Sequence, residues 1–281
     1  MPANNQSRRI DSHVHFWQLA RGDYGWLTPQ LAPIYRDFGR DELAPLIAAA
    51  DIDAIVLVQA APSEAETLFL LDWAARYERI AGVVGWVDMA ALDAPERIAA
   101  LGGNPRLRGI RPMIHDIRDP DWMLRDELTP AFRAIVAHDI AFDCLVRPPH
   151  LTPLRRLLDR HPDLRAVIDH AAKPAIAAGE FDDWAAAMAG LARDTSVFCK
   201  LSGLVTEAGR DWSVERLRPY VEHLVAAFTP DRLLWGSDWP VVTLAAAYAA
   251  WWEAANILLD GLDASSHDRI FGGTAAQFYR L

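Results

Sequence analysis

The sequence predicts one α/β domain spanning residues 1–281, a (β/α)8 barrel of the TIM type. Three observations carry this reading. Eight short β-rich runs recur along the chain, segments with helical periodicity separate most of them, and the ends of successive runs fall about 24 to 44 residues apart, the spacing of βα units. The runs are largely continuous in apolar residues, as expected of strands buried on both faces, rather than alternating as in a half-solvated sheet. A doubly wound open sheet is the alternative reading of the same alternation.

In order, the runs are "RIDSHVH" ending at His15, "DAIVLVQ" at Gln59, "IAGVVGWV" at Val87, and "LRGIRP", whose last strand-like residue is Arg111. They continue with "IAFDCLVR" ending near Val146, "LRAVIDH" at His170, "SVFCKLS" at Ser202 and "RLLWGSD" at Asp238. Helix starts are marked between them. "SEAE" at Ser63 to Glu66 reads as a capping box, and Thr129-Pro130 and Thr152-Pro153 each place a capping residue before a first-turn proline. The longest apolar stretch, Thr243 to Leu259, contains Glu253 and Asn256 and falls short of the ~20 residues of a membrane span, so it reads as a packed core helix. No Gly/Ser linker or shift in composition divides the chain.

Composition narrows the function. Lys plus Arg number 28 against 38 for Asp plus Glu, a net charge of −10 that argues against nucleic acid or an anionic membrane as partner. Cys144 and Cys199 lie inside apolar runs, where buried free thiols are expected, and this implies a reducing, cytoplasmic setting. The segment after Met1 has no apolar core, so no secretory leader is expected. The sequence leaves the oligomeric state open.

A barrel of this kind places its chemistry at the C-terminal ends of its strands. There the sequence sets His13, His15, Gln59, Asp88, Arg111, Arg147, Asp169, His170, Lys200, Ser202 and Asp238. Ionisable groups terminating apolar strands are costly unless partnered or used. Strand alternation puts Asp11, His13 and His15 on one face, where two imidazoles can converge on a cation. Buried histidines bonded to backbone are the plainer reading of the pair alone. Trp17, Tyr24, Trp26 and Tyr35 crowd the long first loop, and an indole such as Trp26 can stack under a sugar ring or simply pack the loop. His138, His161, His223 and His267 sit in helical contexts and read as surface.

"DSHVHFW", "IDHAAKP" from Ile168 to Pro174, "WGSDWP" from Trp235 to Pro240 and the closing "RIFGGTAAQFYRL" together resemble the amidohydrolase superfamily, in its amidohydrolase-2 branch. The opening "DSHVHFWQLARGDYGWLTPQLAPIYRDF" is similar to the sugar-lactonase group, which acts on L-fucono- and L-rhamnonolactones. The resemblance implies that His13 and His15 bind a divalent metal, that His170 binds a second metal or polarises the substrate carbonyl, and that Asp238 is metal ligand and proton shuttle. The chain departs from the two-metal pattern. The fourth strand offers Arg111 and Pro112 where a bridging lysine or glutamate would stand, and the fifth offers Val146 and Arg147 where a histidine would stand. One divalent cation, zinc, is therefore expected on His13, His15 and Asp238, and one that activity can dispense with, since imidazoles alone can polarise a carbonyl. His115 and His150, on the following loops, could complete a second metal position.

The implied activity is hydrolysis of a sugar-acid lactone to the aldonic acid. Asp238 takes a proton from water and returns it to the ring oxygen, and His13, His15 and His170 polarise the carbonyl. Arg111, Lys173 and Trp26 are the expected substrate contacts, Asp11 is expected to orient a histidine, and Asp88 is the alternative base. Two other functions fit the same residues. One is metal-dependent decarboxylation of an aromatic acid, the other non-catalytic carbohydrate binding.

Overall fold

The computed structural model describes residues 8–281; residues 1–7, which fall in the segment read for a leader, lie outside the described residues. Eight strands form one parallel sheet in chain order: β1 (Ile10–Val14), β2 (Ala54–Val58), β3 (Ile80–Gly85), β4 (Leu107–Ile110), β5 (Ala141–Cys144), β6 (Ala166–Ile168), β7 (Phe198–Leu201) and β8 (Leu233–Trp235). The sheet closes where Val14 bridges Trp239, with His15 N–H donating to Trp239 O at 2.7 Å and Asp238 N–H to His13 O at 2.9 Å. Each strand stops shortly before the residue that ends its run in the sequence. His15, Arg111, His170 and Asp238 thus sit on the first loop residues, where the backbone is free to leave the extended conformation, while His13 lies within β1.

Around the sheet lie α1 (Arg40–Ala49), α2 (Glu64–Arg76), α3 (Ala94–Gly102), α4 (Thr129–Ala137), α5 (Leu151–Arg160), α6 (Asp182–Asp194), α7 (Leu204–Ala208), α8 (Val214–Phe228), α9 (Tyr248–Leu259), α10 (Ala264–Asp268) and α11 (Thr274–Tyr279). The barrel interior is a layer of Ile10, Val56, Val58, Val84, Val167 and Leu234, closed by Phe278 and Tyr279 of α11 at the end where the strands begin. The larger core lies between the outer strand faces and the helices. Each fully buried aliphatic side chain there contributes about 1.5–3 kcal/mol.

Three helix starts differ from expectation. Ser63 Oγ does accept from Glu66 N–H at 3.1 Å, but the Glu66 carboxylate turns away to accept from Ala60 and Ala61 N–H at 2.9 and 2.6 Å, so the reciprocal half of the box is missing. Thr129 is already the first residue of α4, and Thr152 lies inside α5. Short 3-10 turns at Asp126–Leu128 and Pro148–His150 run into these helices and begin the winding early, and neither threonine serves as a side-chain cap. The apolar stretch from Thr243 is helical from Tyr248, and Trp251, Ala254, Ala255 and Leu258 fill the core. Cys144 and Cys199 are buried and free, and no helix of the described residues is long and apolar enough to cross a membrane. Of the four histidines read as surface only His138 is exposed. His161 packs on Phe132, His267 packs on Phe271, and His223 bonds Ala185 O at 2.8 Å.

Candidate active site

The first strand does not run straight into the site. Its register against β2 slips between Asp11 and Val14, a β-bulge that gives β1 one extra residue and re-aims the side chains beyond it. Ile10 faces the barrel interior, so Asp11 faces out, and the bulge then turns His13 inward. Asp11 and His13 therefore do not share a face, contrary to the alternation expected from spacing. Nor does Asp11 orient an imidazole. Its Oδ1 accepts from the backbone N–H of His13 (3.2 Å) and Ser237 (2.8 Å), and its Oδ2 from the Tyr248 hydroxyl of α9 (3.1 Å). Asp11 thus clamps β1 to the turn after β8, and burial raises its pKa to about 6. Gly236 permits that closeness, since a Cβ there would lie 2.8 Å from His13 Cβ.

Within the mouth, four of the predicted residues meet. Asp238 Oδ1 stands 3.3 Å from His15 Nε2, 3.7 Å from His13 Nε2 and 3.9 Å from His170 Nε2. Val58 O lies 2.8 Å from His15 Nδ1, which places the His15 proton on Nδ1 and turns the Nε2 lone pair toward Asp238. Two acceptors facing each other at 3.3 Å call for a proton or a cation between them. Tetrahedral bonds of about 2.0–2.1 Å set neighbouring ligand atoms a little over 3 Å apart, so His13, His15 and Asp238 suit a divalent metal. His13, Asp169 and His170 also converge, but Asp169 is already held by two cations. No bridging residue comes from β4.

Backbone strain positions two of the four. His170 (φ 51°) opens a run of left-handed residues through Ala171, Ala172 and Lys173, and Asp238 (φ 58°) is left-handed as well. Non-glycine residues pay roughly 1–3 kcal/mol each for such conformations, which persist only where the surroundings enforce them. Here Ser202 Oγ holds His170 Nδ1 at 2.9 Å, and Gly203 leaves room for the ring: a Cβ on it would come within 2.8 Å of His170 Cβ, Cγ and Nδ1.

Under this cluster lies a buried charge network. Lys200 Nζ reaches Asp143 Oδ2 (2.6 Å), Asp169 Oδ1 (3.0 Å) and His13 Nδ1 (3.1 Å), and the Tyr279 hydroxyl donates to Asp143 Oδ2 at 2.5 Å. Arg111 Nη1 donates to Asp169 Oδ2 (3.1 Å) and reaches His13 Nε2 (3.3 Å), while its Nη2 bonds the Gln59 carbonyl and side chain. Burial first, then the positive charges of Lys200 and Arg111 with the neighbouring imidazoles, keep His13 neutral. His170 is likewise driven well below the usual imidazole range, chiefly by burial. Burial would raise Asp238, but His170, His15 and Lys173 outweigh it and hold it below the usual aspartate value. At neutral pH the Asp238 carboxylate thus faces two neutral imidazoles, those of His13 and His170.

Above the cluster opens a cavity of about 190 Å3 that includes His15, His170, Asp238, Arg111, Lys173 and Trp26 in its walls. Lys173 Nζ pairs with Glu207 Oε1 at 2.7 Å, and Trp26 is fixed by an indole bond to Ala60 O at 2.7 Å. Arg111 reaches the cavity but is committed to Asp169 and Gln59. Trp17 and Tyr24 are buried in the first loop and Tyr35 faces solvent, so Trp26 alone of these aromatics lines the cavity. His150 caps the Arg147 N–H at 3.1 Å away from it, whereas His115 lines it, its Nε2 3.1 Å from Asp116. Asp88 lies outside it. Asp143 and Tyr279 are the members that sequence reasoning missed. A lone aspartate inside the apolar "AFDCLV" was a visible signal for the first, while Tyr279 gave none.

A profile of the amidohydrolase family matches residues 10–281. An L-fucono-1,5-lactonase from Burkholderia ambifaria is 48% identical over 279 residues, spanning 97% of this chain and 96% of its own. A second L-fucono-1,5-lactonase, from Burkholderia multivorans, is 38% identical over 290 residues with 97% and 96% covered. A crystal structure of a Burkholderia multivorans amidohydrolase with bound zinc superposes with a TM-score of 0.92 at 37% identity, covering 98% of this chain and 100% of that one.

Proposed function

Because the chain belongs to the amidohydrolase family, we propose that it hydrolyses a sugar-acid lactone, an aldonolactone of the L-fucono type, to the open-chain aldonic acid. The observation that carries this is an ionised Asp238 facing three buried imidazoles at the floor of a cavity with an indole wall and an ammonium at its rim.

Asp238 takes a proton from water as the water oxygen bonds to the lactone carbonyl carbon. The oxyanion so formed is met by His170. A Ser202 hydroxyl donating to Nδ1 puts the His170 proton on Nε2, which faces the cavity. When the intermediate collapses, the bond from the carbonyl carbon to the ring oxygen breaks, and Asp238 returns its proton to that oxygen. Lys173 meets the carboxylate that ring opening creates, Trp26 stacks on the sugar's C–H face, and Arg111 fixes the depth of the floor. A zinc ion on His13, His15 and Asp238 would supply Lewis acidity there. One equivalent is expected, easily removed, because the Arg111 guanidinium already stands 3.3 Å from His13 Nε2. Free buried thiols suit a cytoplasmic setting.

A pH-indicator assay across five- and six-membered aldonolactones tests this, since each ring opening releases one acid. Six-carbon 6-deoxy L-sugar lactones should be the best substrates. Rates equal to uncatalysed hydrolysis for every sugar lactone would overturn it.

A further inference from the structure

Beside the reactive cavity lies a second one of about 380 Å3 that the proposed reaction leaves unused. The two share Trp26, Met113 and Asp116, so they are compartments of one cleft. The reactive compartment by itself is small against the ~300–1,000 Å3 of ordinary small-molecule sites, and the two together fall in that range.

The chemistry of the second compartment is specific. Trp86, in the loop after β3, and Trp122, after β4, are both half-buried in its wall. Trp26 engages Ala60 O through its indole N–H, but those of Trp86 and Trp122 have no acceptor among the described residues. Two carboxylates stand beside them. Asp88 Oδ1 accepts from Ala90 N–H at 3.1 Å and Asp116 Oδ1 faces His115 Nε2 at 3.1 Å, which leaves one oxygen of each free of described partners. An alkyl chain would cover the indole faces but would strip water from two carboxylates without replacing their hydrogen bonds. A polyhydroxylated ring matches both kinds of surface: its C–H face lies on indole, its hydroxyls donate to carboxylate, and its oxygens accept from indole N–H.

We propose that this compartment is a subsite for a second sugar ring, so that the substrates include aldonolactones carrying a glycosyl substituent, with the lactone over Asp238 and the second ring against Trp86 and Trp122. The proposal rests on the lactonase reading above.

The test uses the intact protein with L-fuconolactone and with its derivatives glycosylated singly at each free hydroxyl. At least one derivative should show kcat/KM about tenfold above the parent lactone. Trp122→Ala and Trp86→Ala should abolish that gain while hydrolysing the parent at the wild-type rate, which also shows that the variants fold. Derivatives no better than the parent would overturn the subsite and leave the lactonase standing. Equal losses on parent and derivative would overturn it too, since the cleft would then belong to the lactone's own seat. No hydrolysis of the parent by wild type would instead overturn the lactonase reading, and the subsite with it.

Discussion

Ile10, Val56, Val84, Val167 and Leu234 fill the barrel interior, stoppered by Phe278; where the strands end, the same cylinder is ringed by His13, His15, His170 and Asp238 over a Lys200–Asp143–Asp169–Arg111 network. Strand register slips in both regions, at Ile55/Val56 and Val83/Val84 among the apolar residues as well as beyond Asp11 in β1. What sets the polar end apart is left-handed backbone at His170 and Asp238 and glycines at 203 and 236 where side chains would collide. The comparison teaches that the close-packed apolar half supplies the rigidity that lets the other half hold strain and buried charge.

The largest expected effect comes from removing the charge that joins the two halves. Lys200→Met keeps the volume but leaves Asp143 and Asp169 without their shared cation, and should cost about 3–5 kcal/mol in denaturant unfolding. A loss below about 1 kcal/mol would show that the two ends are energetically independent.

That network also marks the limit of what the sequence revealed. All eight strands were legible, because runs such as "DAIVLVQ" can only be buried on both faces, and His13, His15, His170 and Asp238 were legible because nothing apolar explains them there. The side of the strand to which Asp11 turns was not, because a bulge leaves no trace in a period-two pattern. The partners of Arg111 were not legible either, because Asp169 and Gln59 are brought to it from other strands. Tyr279 lies in the last helix, far in sequence from the Asp143 it bonds.

Glu66 distinguishes burial from function among the carboxylates. Burial raises its pKa from 4.5 to about 7 against the N–H groups of Ala60 and Ala61. The folded state thus holds the Glu66 proton more tightly than the unfolded chain, so this residue's contribution to stability is greatest below about pH 4.5, falls as pH rises toward 7, and is constant above. Glu66→Gln removes that dependence. Its stability relative to wild type should rise by up to about 3 kcal/mol between pH 4.5 and 7, read from denaturation midpoints at each pH. A pH-independent difference would place the Glu66 proton elsewhere.

Gly203→Ala probes the strained end directly. A methyl group 2.8 Å from His170 Nδ1, on a backbone at φ 67°, must displace the imidazole from Ser202, and turnover should fall about ten- to a hundredfold with the protein still folded. Smaller again is Lys173→Met. Its partner Glu207 is part-exposed, so stability should hardly change, while KM for the lactone rises about tenfold at nearly constant kcat.

The central claim, that Asp238 moves the proton, is tested most directly by comparing Asp238→Asn with wild type on L-fuconolactone. Asparagine keeps the size and the hydrogen bonds but cannot accept a proton from water, so kcat should fall by about a hundredfold or more with the unfolding transition retained. Near-normal turnover in a well-folded Asp238→Asn protein would contradict the account and move the base to another carboxylate.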